Sequence, residues 1–218
     1  MAKPKPDPVL TRNKILDAAE SMVGEQGFNG LTMKSVAREA GMAVGKIYNF
    51  FPDKASLFIH LECRFSEGLV EIVEKVVSQP GSPANQFRQL LKEVFAYLSS
   101  NLGLIRMNVA PPYIHSDFIG TELEPIANKE LSATMKAGVI VSELLREVYS
   151  GEGTLSDQEV RTMTLFLLNQ ITGLLLNSHS RNFSYMLGAE SISQQKAAAA
   201  IDTQLDLIAE LIIPHPVT

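Results

Sequence analysis

Residues 32–57, TMKSVAREAGMAVGKIYNFFPDKASL, decide how this chain is read. Thr32 is a good N-cap, and the residues after it put Val36, Ala37 and Ala40 on one helical face. Gly41 supplies the permissive backbone that stops this helix after about two and a half turns. A third short helix over about 43–50 follows at once. Pro52 and Asp53 end it and start a fourth, because Pro is tolerated only near a helix start and Asp caps well. Two short helices about a glycine-bearing turn, steadied by a helix in front, form a helix-turn-helix, whose second short helix can enter a groove about 12 Å wide on a DNA duplex.

Working outward, Thr11 is the expected cap of a first helix with Ile15, Ala18, Ala19, Met22 and Val23 on its inner face and Gly27 at its end. Downstream, the fourth helix is a long connector from Asp53 to about Val77, ended by Gln79-Pro80-Gly81-Ser82-Pro83. Helical spacing then recurs over about 84–101, 103–109, 121–149, 156–180 and 194–213. Pro111-Pro112, Gly151 to Gly153 and Gly188 mark breaks, and no sheet signal or solenoid repeat is present. The expected fold is all-α. A three-helix head over 1–56 is joined by the connector to a helical bundle over 57–218, with about nine helices in all.

A chain of 218 residues, 45% of them hydrophobic, can bury a sizeable core. No apolar run reaches the roughly 18 residues that span a bilayer and the start has no secretory pattern, so the cytoplasm, without membrane contact, is the expected location. A single cysteine, Cys63, forms no intrachain disulfide, and Asn182-Phe183-Ser184 would accept a glycan only in a secreted protein. The net charge of -5 is unevenly placed: residues 1–64 hold nine Lys or Arg against seven Asp or Glu, and the remainder ten against seventeen. What positive character the chain has lies at the front, although such a split also fits differently solvated faces.

The spacing Thr32-x3-Val36-Ala37-x2-Ala40-Gly41-x3-Gly45-x-Ile47-Tyr48-x-Phe50-Phe51-x2-Lys54-x2-Leu57 is similar to the DNA-binding head of the TetR (tetracycline-repressor-like) family. The resemblance covers roughly residues 10–60, and a bare three-helix knot would not also demand Gly45, Tyr48 and Lys54 at that spacing. It implies that the third helix reads double-stranded DNA. Gly45 would admit close approach, Lys46 and Asn49 would make polar contacts to bases or phosphates, and Ala43 and Val44 would touch thymine methyls. Tyr48, Lys34 and Lys54 would hold phosphates, Lys54 from the first turn of the connector. The family commonly has Ser or Thr where Ala43 stands, and Ala cannot cap the helix. Lys3, Lys5 and Arg12 form either a loose arm on the duplex or a solubilising tail kept irregular by Pro4, Pro6 and Pro8.

The resemblance further implies a cytoplasmic homodimer on a palindromic operator, a repressor released by a small, mostly apolar effector. The helix over 156–180 is apolar around nearly its whole circumference and must be covered on two sides. Leu167, Ile171, Leu174, Leu205, Ile208 and Ile212 are the candidate dimer interface. Phe95, Met107, Tyr113, Phe118, Met135, Phe166 and Asn169 are candidate pocket residues, with His115 as a further polar contact, although Met and aromatic residues at helical spacing also serve as plain core. No cofactor is expected. Gly41 to Ile47 falls short of a phosphate-binding loop in spacing and lacks the Ser or Thr after Lys46. His60 and Cys63 lie on the same helix without partners for a metal site, His115, His179 and His215 are isolated, and no catalytic constellation appears, so an enzyme is not expected. The alternative reading is a helical small-molecule-binding protein whose head no longer reads DNA.

Overall fold

The computed structural model describes residues 7–109, 111–150, 153–178 and 194–214. Among these there are nine α-helices and no strand: α1 (Pro8–Gly30), α2 (Met33–Glu39), α3 (Val44–Tyr48), α4 (Lys54–Val77), α5 (Pro83–Ser100), α6 (Leu102–Val109), α7 (Glu124–Tyr149), α8 (Asp157–Ser178) and α9 (Gln194–Ile212). A single 3-10 turn, His115–Phe118, stands between α6 and α7. Lys3, Lys5, His179, Asn182-Phe183-Ser184, Gly188 and His215 lie outside the described residues.

Packing separates the chain into two compact units: the described parts of Met1–Gly68 with Asn101–Thr134, and of Leu69–Ser100 with Met135–Thr218. In the first, Ile15, Leu16, Ala19, Met22 and Val23 of α1, Val36 and Ala37 of α2, Ile47 of α3, and Phe51, Leu57 and Leu61 are all buried, with α1 packed on α2 and α2 on α3. Truncating one such side chain, Ile47 for example, costs about 2–5 kcal/mol. The downstream helix α6 also packs on α1. Gly103 is the reason it can: a Cβ there would stand 2.7 Å from backbone atoms of Val23 and Gly24.

Local chemistry sets the element ends. Thr32 caps α2 by accepting from the Ser35 amide at 3.1 Å, while Ser35 Oγ accepts from the Thr32 amide at 2.9 Å, a reciprocal capping box. Gly41, with φ +63, takes the left-handed turn into α3. Asp53 caps α4 through the Ser56 amide at 2.6 Å. The first helix starts earlier than expected: Asp7, not Thr11, is its cap, accepting from the Val9 amide at 2.8 Å with Pro8 at the first helical position, and Thr11 is buried inside the helix. Asp followed by Pro is the stronger start, since Pro's missing N-H is one the first turn leaves unpaired anyway. Gly27 interrupts α1 at φ 73 and ψ 163, and a last turn carries the buried Phe28 into the head.

In the second unit α5 places Phe87, Leu90, Leu91, Phe95 and Leu98 on one face, packed against α8 and α9. Val160, Leu167, Ile171 and Leu175 of α8 and Leu205, Ile208, Ala209 and Ile212 of α9 complete this core. Arg88 pairs with Glu210 at 2.7 Å and Lys92 with Asp206 at 3.1 Å along the α5–α9 seam, where exposed pairs are worth at most about 1 kcal/mol each.

Candidate nucleic-acid interface

Helix α3 is held to the head by one buried side chain, Ile47, while Ala43, Gly45, Tyr48 and Asn49 are exposed and Val44 and Lys46 half-buried. A five-residue helix anchored at one point offers the rest of its circumference to something outside the head. Gly45 sharpens this, because a Cβ at that position would meet nothing within 4 Å and its backbone takes no positive φ. Neither packing nor conformation inside the protein calls for glycine there, and glycine within a helix is a disadvantage of up to about 1 kcal/mol relative to alanine. Ala43 is the N-cap residue and makes no side-chain cap bond, so the amides opening α3 lack that partner.

Lys34 is exposed on α2, beside α3. Lys54 is engaged within the head: its Nζ lies 4.5 Å from the Phe28 ring centroid and donates to the Asn29 carbonyl at 3.4 Å. Partial burial there lowers the pKa of its ammonium group. The side chain thus tethers the start of α4 to the end of α1. Arg12 belongs to the folded head rather than to a loose arm, since its guanidinium sits 5.0 Å above the Phe51 ring. The planar cation finds an aromatic face that a proline-rich tail would not offer.

The candidate pocket residues divide between the units. Met107, Tyr113 and Phe118 fall in the first, where Tyr113 and Phe118 lie 6.0 Å apart and reach Phe58 at 5.3 and 6.4 Å. Phe95, Met135, Phe166 and Asn169 fall in the second; Phe95 is core, the other three exposed, Met135 by 62%. His115 approaches Asn128 at 3.0 Å. Of the candidate interface residues, Leu167, Ile171, Leu205, Ile208 and Ile212 turn into the protomer and Leu174 is half-buried. The outward residues are their neighbours Leu165, Leu168, Leu207 and Leu211, because an all-round apolar helix does not say which of its faces is inward.

His60 Nδ1 meets the Ser56 carbonyl at 2.7 Å and its ring edge packs on Phe51. Burial pushes the Cys63 thiol up to about 11, so it is not a ready nucleophile. Among the described residues no three His, Cys, Asp or Glu are grouped to hold a metal, and no helix is long and apolar enough to cross a membrane. Two features escaped the sequence reading: Phe58, the centre of the aromatic cluster, and Glu62, a buried acid one helical turn beyond it. The signal was an acid within the apolar run Phe58-Ile59-His60-Leu61-Glu62-Cys63.

Residues 15–61 match the model of the bacterial regulatory proteins of the tetR family. A probable HTH-type transcriptional regulator of Bacillus subtilis, YttP, is 33% identical over 91 residues, which are 42% of this chain and 44% of that protein. The nucleoid occlusion factor SlmA of Vibrio cholerae is 23% identical over 176 residues, 80% of this chain and 87% of its own length. Among solved structures, the regulator FadR of Bacillus subtilis in complex with stearoyl-CoA superposes with a TM-score of 0.64 at 16% identity, covering 92% of this chain and 97% of that one. A likeness at that identity speaks for the fold.

Proposed function

We propose that this chain, a member of the TetR family of bacterial regulatory proteins by its head at residues 15–61, is a homodimeric repressor that reads a palindromic operator and releases it on binding a small effector. The head, residues 1–56, reads DNA and the body, 57–218, binds the effector and dimerises. The observation that carries the DNA reading is α3, fixed by Ile47 and otherwise open, with a glycine at 45 that nothing inside the protein requires. Lys46 and Asn49 make polar contacts to bases or phosphates, Ala43 and Val44 touch thymine methyls, and Gly45 allows close approach. Lys34, Tyr48 and Lys54 hold phosphates, Lys54 by leaving the Phe28 face for the duplex.

The outward Leu165, Leu168, Leu207 and Leu211 support a two-fold contact between α8 and α9 of two protomers, and a dimer reading a palindrome needs its two α3 helices about one DNA turn, roughly 34–36 Å, apart. The aromatic cluster of Phe58, Tyr113 and Phe118 supports an effector with an apolar body, and a structural neighbour was solved with stearoyl-CoA. Selection from a random duplex library at two salt concentrations tests the reading. Enrichment of a palindrome with half-sites one turn apart supports it. Weak, salt-sensitive binding without a motif overturns it in favour of a helical carrier with a silent head.

A further inference from the structure

Helix α4 takes a carboxylate into the interior of the first unit. Glu62 keeps 5% of its surface accessible and lies between the buried Leu61 and Cys63, one turn beyond the buried Phe58. Asn108 of α6 hydrogen-bonds its carboxyl group, yet Oε1 has no partner. One turn further along α4 the buried Ser66 donates to Glu130 Oε1 of α7 at 2.9 Å, and Thr134 donates to that same oxygen at 2.9 Å. Both hydroxyls are thereby committed to Glu130. Arg64, on the same helix, turns away to Asp17 at 2.6 Å and to Glu20 on α1, with its buried Nη1 left unpartnered, and Lys129 pairs with Glu67 at 2.6 Å. A buried acid oxygen is left without a hydrogen-bond partner, within the field of the Glu130 carboxylate on α7.

A buried polar atom without a partner is unfavourable, and a lone buried carboxylate more so, unless a proton or a cation joins it. We propose that Glu62, with Glu130 behind it, is the polar anchor of the effector site, and that the effector is a lipophilic amine. Its ammonium group donates to Glu62 Oε1 and its apolar body lies against Phe58, Tyr113 and Phe118. The inference rests on the effector-responsive reading above and narrows it to one chemical class. A buried acid in the field of a second carboxylate disfavours an acyl anion, while an ammonium ion meets opposite charge, with the Phe58 ring one helical turn away as a further attraction. Burial and the Glu130 charge push Glu62 up to about 7, the behaviour of a carboxyl lacking its counter-ion.

The test is calorimetric titration of the full chain at pH 8 with decylamine, decanol and decanoate, each below its micelle concentration. Decylamine binding about tenfold tighter than decanol, with decanoate weakest, is expected. Glu62→Gln should cost the amine about tenfold and leave decanol within about twofold. Equal affinity for amine and alcohol, or an amine affinity that ignores Glu62→Gln, overturns the proposal. If Glu62→Gln fails to fold by circular dichroism, Glu130→Gln takes its place: a severalfold loss for the amine alone supports the anchor, and no loss overturns it. The duplex selection is run in parallel. Glu62-dependent amine binding by a protein that enriches no motif overturns the regulator reading alone, whereas an operator-binding protein indifferent to the amine overturns the anchor alone.

Discussion

A Cβ on Gly103 would stand 2.7 Å from the carbonyl carbon and oxygen of Val23, closer than side-chain carbons approach a backbone. The contact presses the start of α6 onto α1, so the helix on which α2 packs is braced by a segment far downstream in sequence. Because the obstacle is backbone on both sides, Gly103→Ala cannot be absorbed by a rotamer change and should destabilise by about 1–3 kcal/mol. Urea denaturation checks this against Gly138→Ala, where a Cβ meets nothing within 4 Å inside α7 and stability should rise by about 0.5–1 kcal/mol. Equal effects of the two substitutions would refute the brace.

Glu62 ties stability to pH in an unusual direction for an acid. Its folded pKa of about 7 lies above the 4.5 of the free side chain, so the folded state holds a proton that the unfolded chain has released. The unfavourable contribution is absent below pH 4.5, grows between the two values, and is complete above about pH 7. Relative to Glu62→Gln, the wild-type chain should lose roughly 2–3 kcal/mol between pH 5 and pH 8. Denaturation midpoints of both proteins at those two pH values measure the difference. A constant gap between them would show that Glu62 is charged throughout.

What could be read in the sequence was what neighbours in the chain decide. Thr32, Gly41 and Pro52-Asp53 set helix ends through contacts within a few residues, and all three do so in the structure. The start of α1 is local too, but three nearby prolines disguised Asp7-Pro8 as an irregular tail. Features set at a distance were not legible. Gly103 reads as an ordinary helix-breaking residue until Val23 is placed against it. Leu167 and Leu168 are the same residue type one position apart, yet the first is core and the second surface, since α8 is apolar on every side and only its packing against α5 and α9 chooses between its faces. The aromatic contacts of Phe58 with Tyr113 and Phe118 join α4 to a loop that helical periodicity does not describe.

Gly45 should separate folding from DNA binding. Alanine fits there without contact, so Gly45→Ala should leave the melting temperature unchanged or raise stability by about 0.5 kcal/mol. On the duplex the same methyl would hold α3 away from the groove, and affinity for the selected operator should fall about tenfold or more. Fluorescence anisotropy with a labelled operator reads the second effect and thermal denaturation the first. Unchanged affinity would remove close backbone approach as the reason for glycine.

Lys54 should act in both states. Losing its contact with Phe28 in Lys54→Ala ought to cost about 0.5–1 kcal/mol of stability. If the ammonium leaves that ring to hold a phosphate, the salt dependence of DNA affinity should flatten by about one unit, equally for operator and unrelated duplex. A stability loss with an unaltered salt slope would assign Lys54 to the head's interior alone.

The division of α8 and α9 into inner and outer faces predicts two different outcomes for neighbouring leucines. Leu168 is 57% exposed and Leu211 74% exposed in the protomer, so glutamate at either position faces solvent in a monomer and should leave helix content intact. In the two-fold contact each of these leucines would bury its side chain, a gain of about 1.5–3 kcal/mol that a carboxylate turns into a desolvation cost. Leu168→Glu and Leu211→Glu should therefore sediment as folded monomers at micromolar concentration and lose operator affinity, because one head without its partner reads only half a site. Leu167→Glu puts the charge into the protomer core and should unfold it instead. Sedimentation velocity with circular dichroism distinguishes these results. A Leu168→Glu protein that remains dimeric would move the interface off this face.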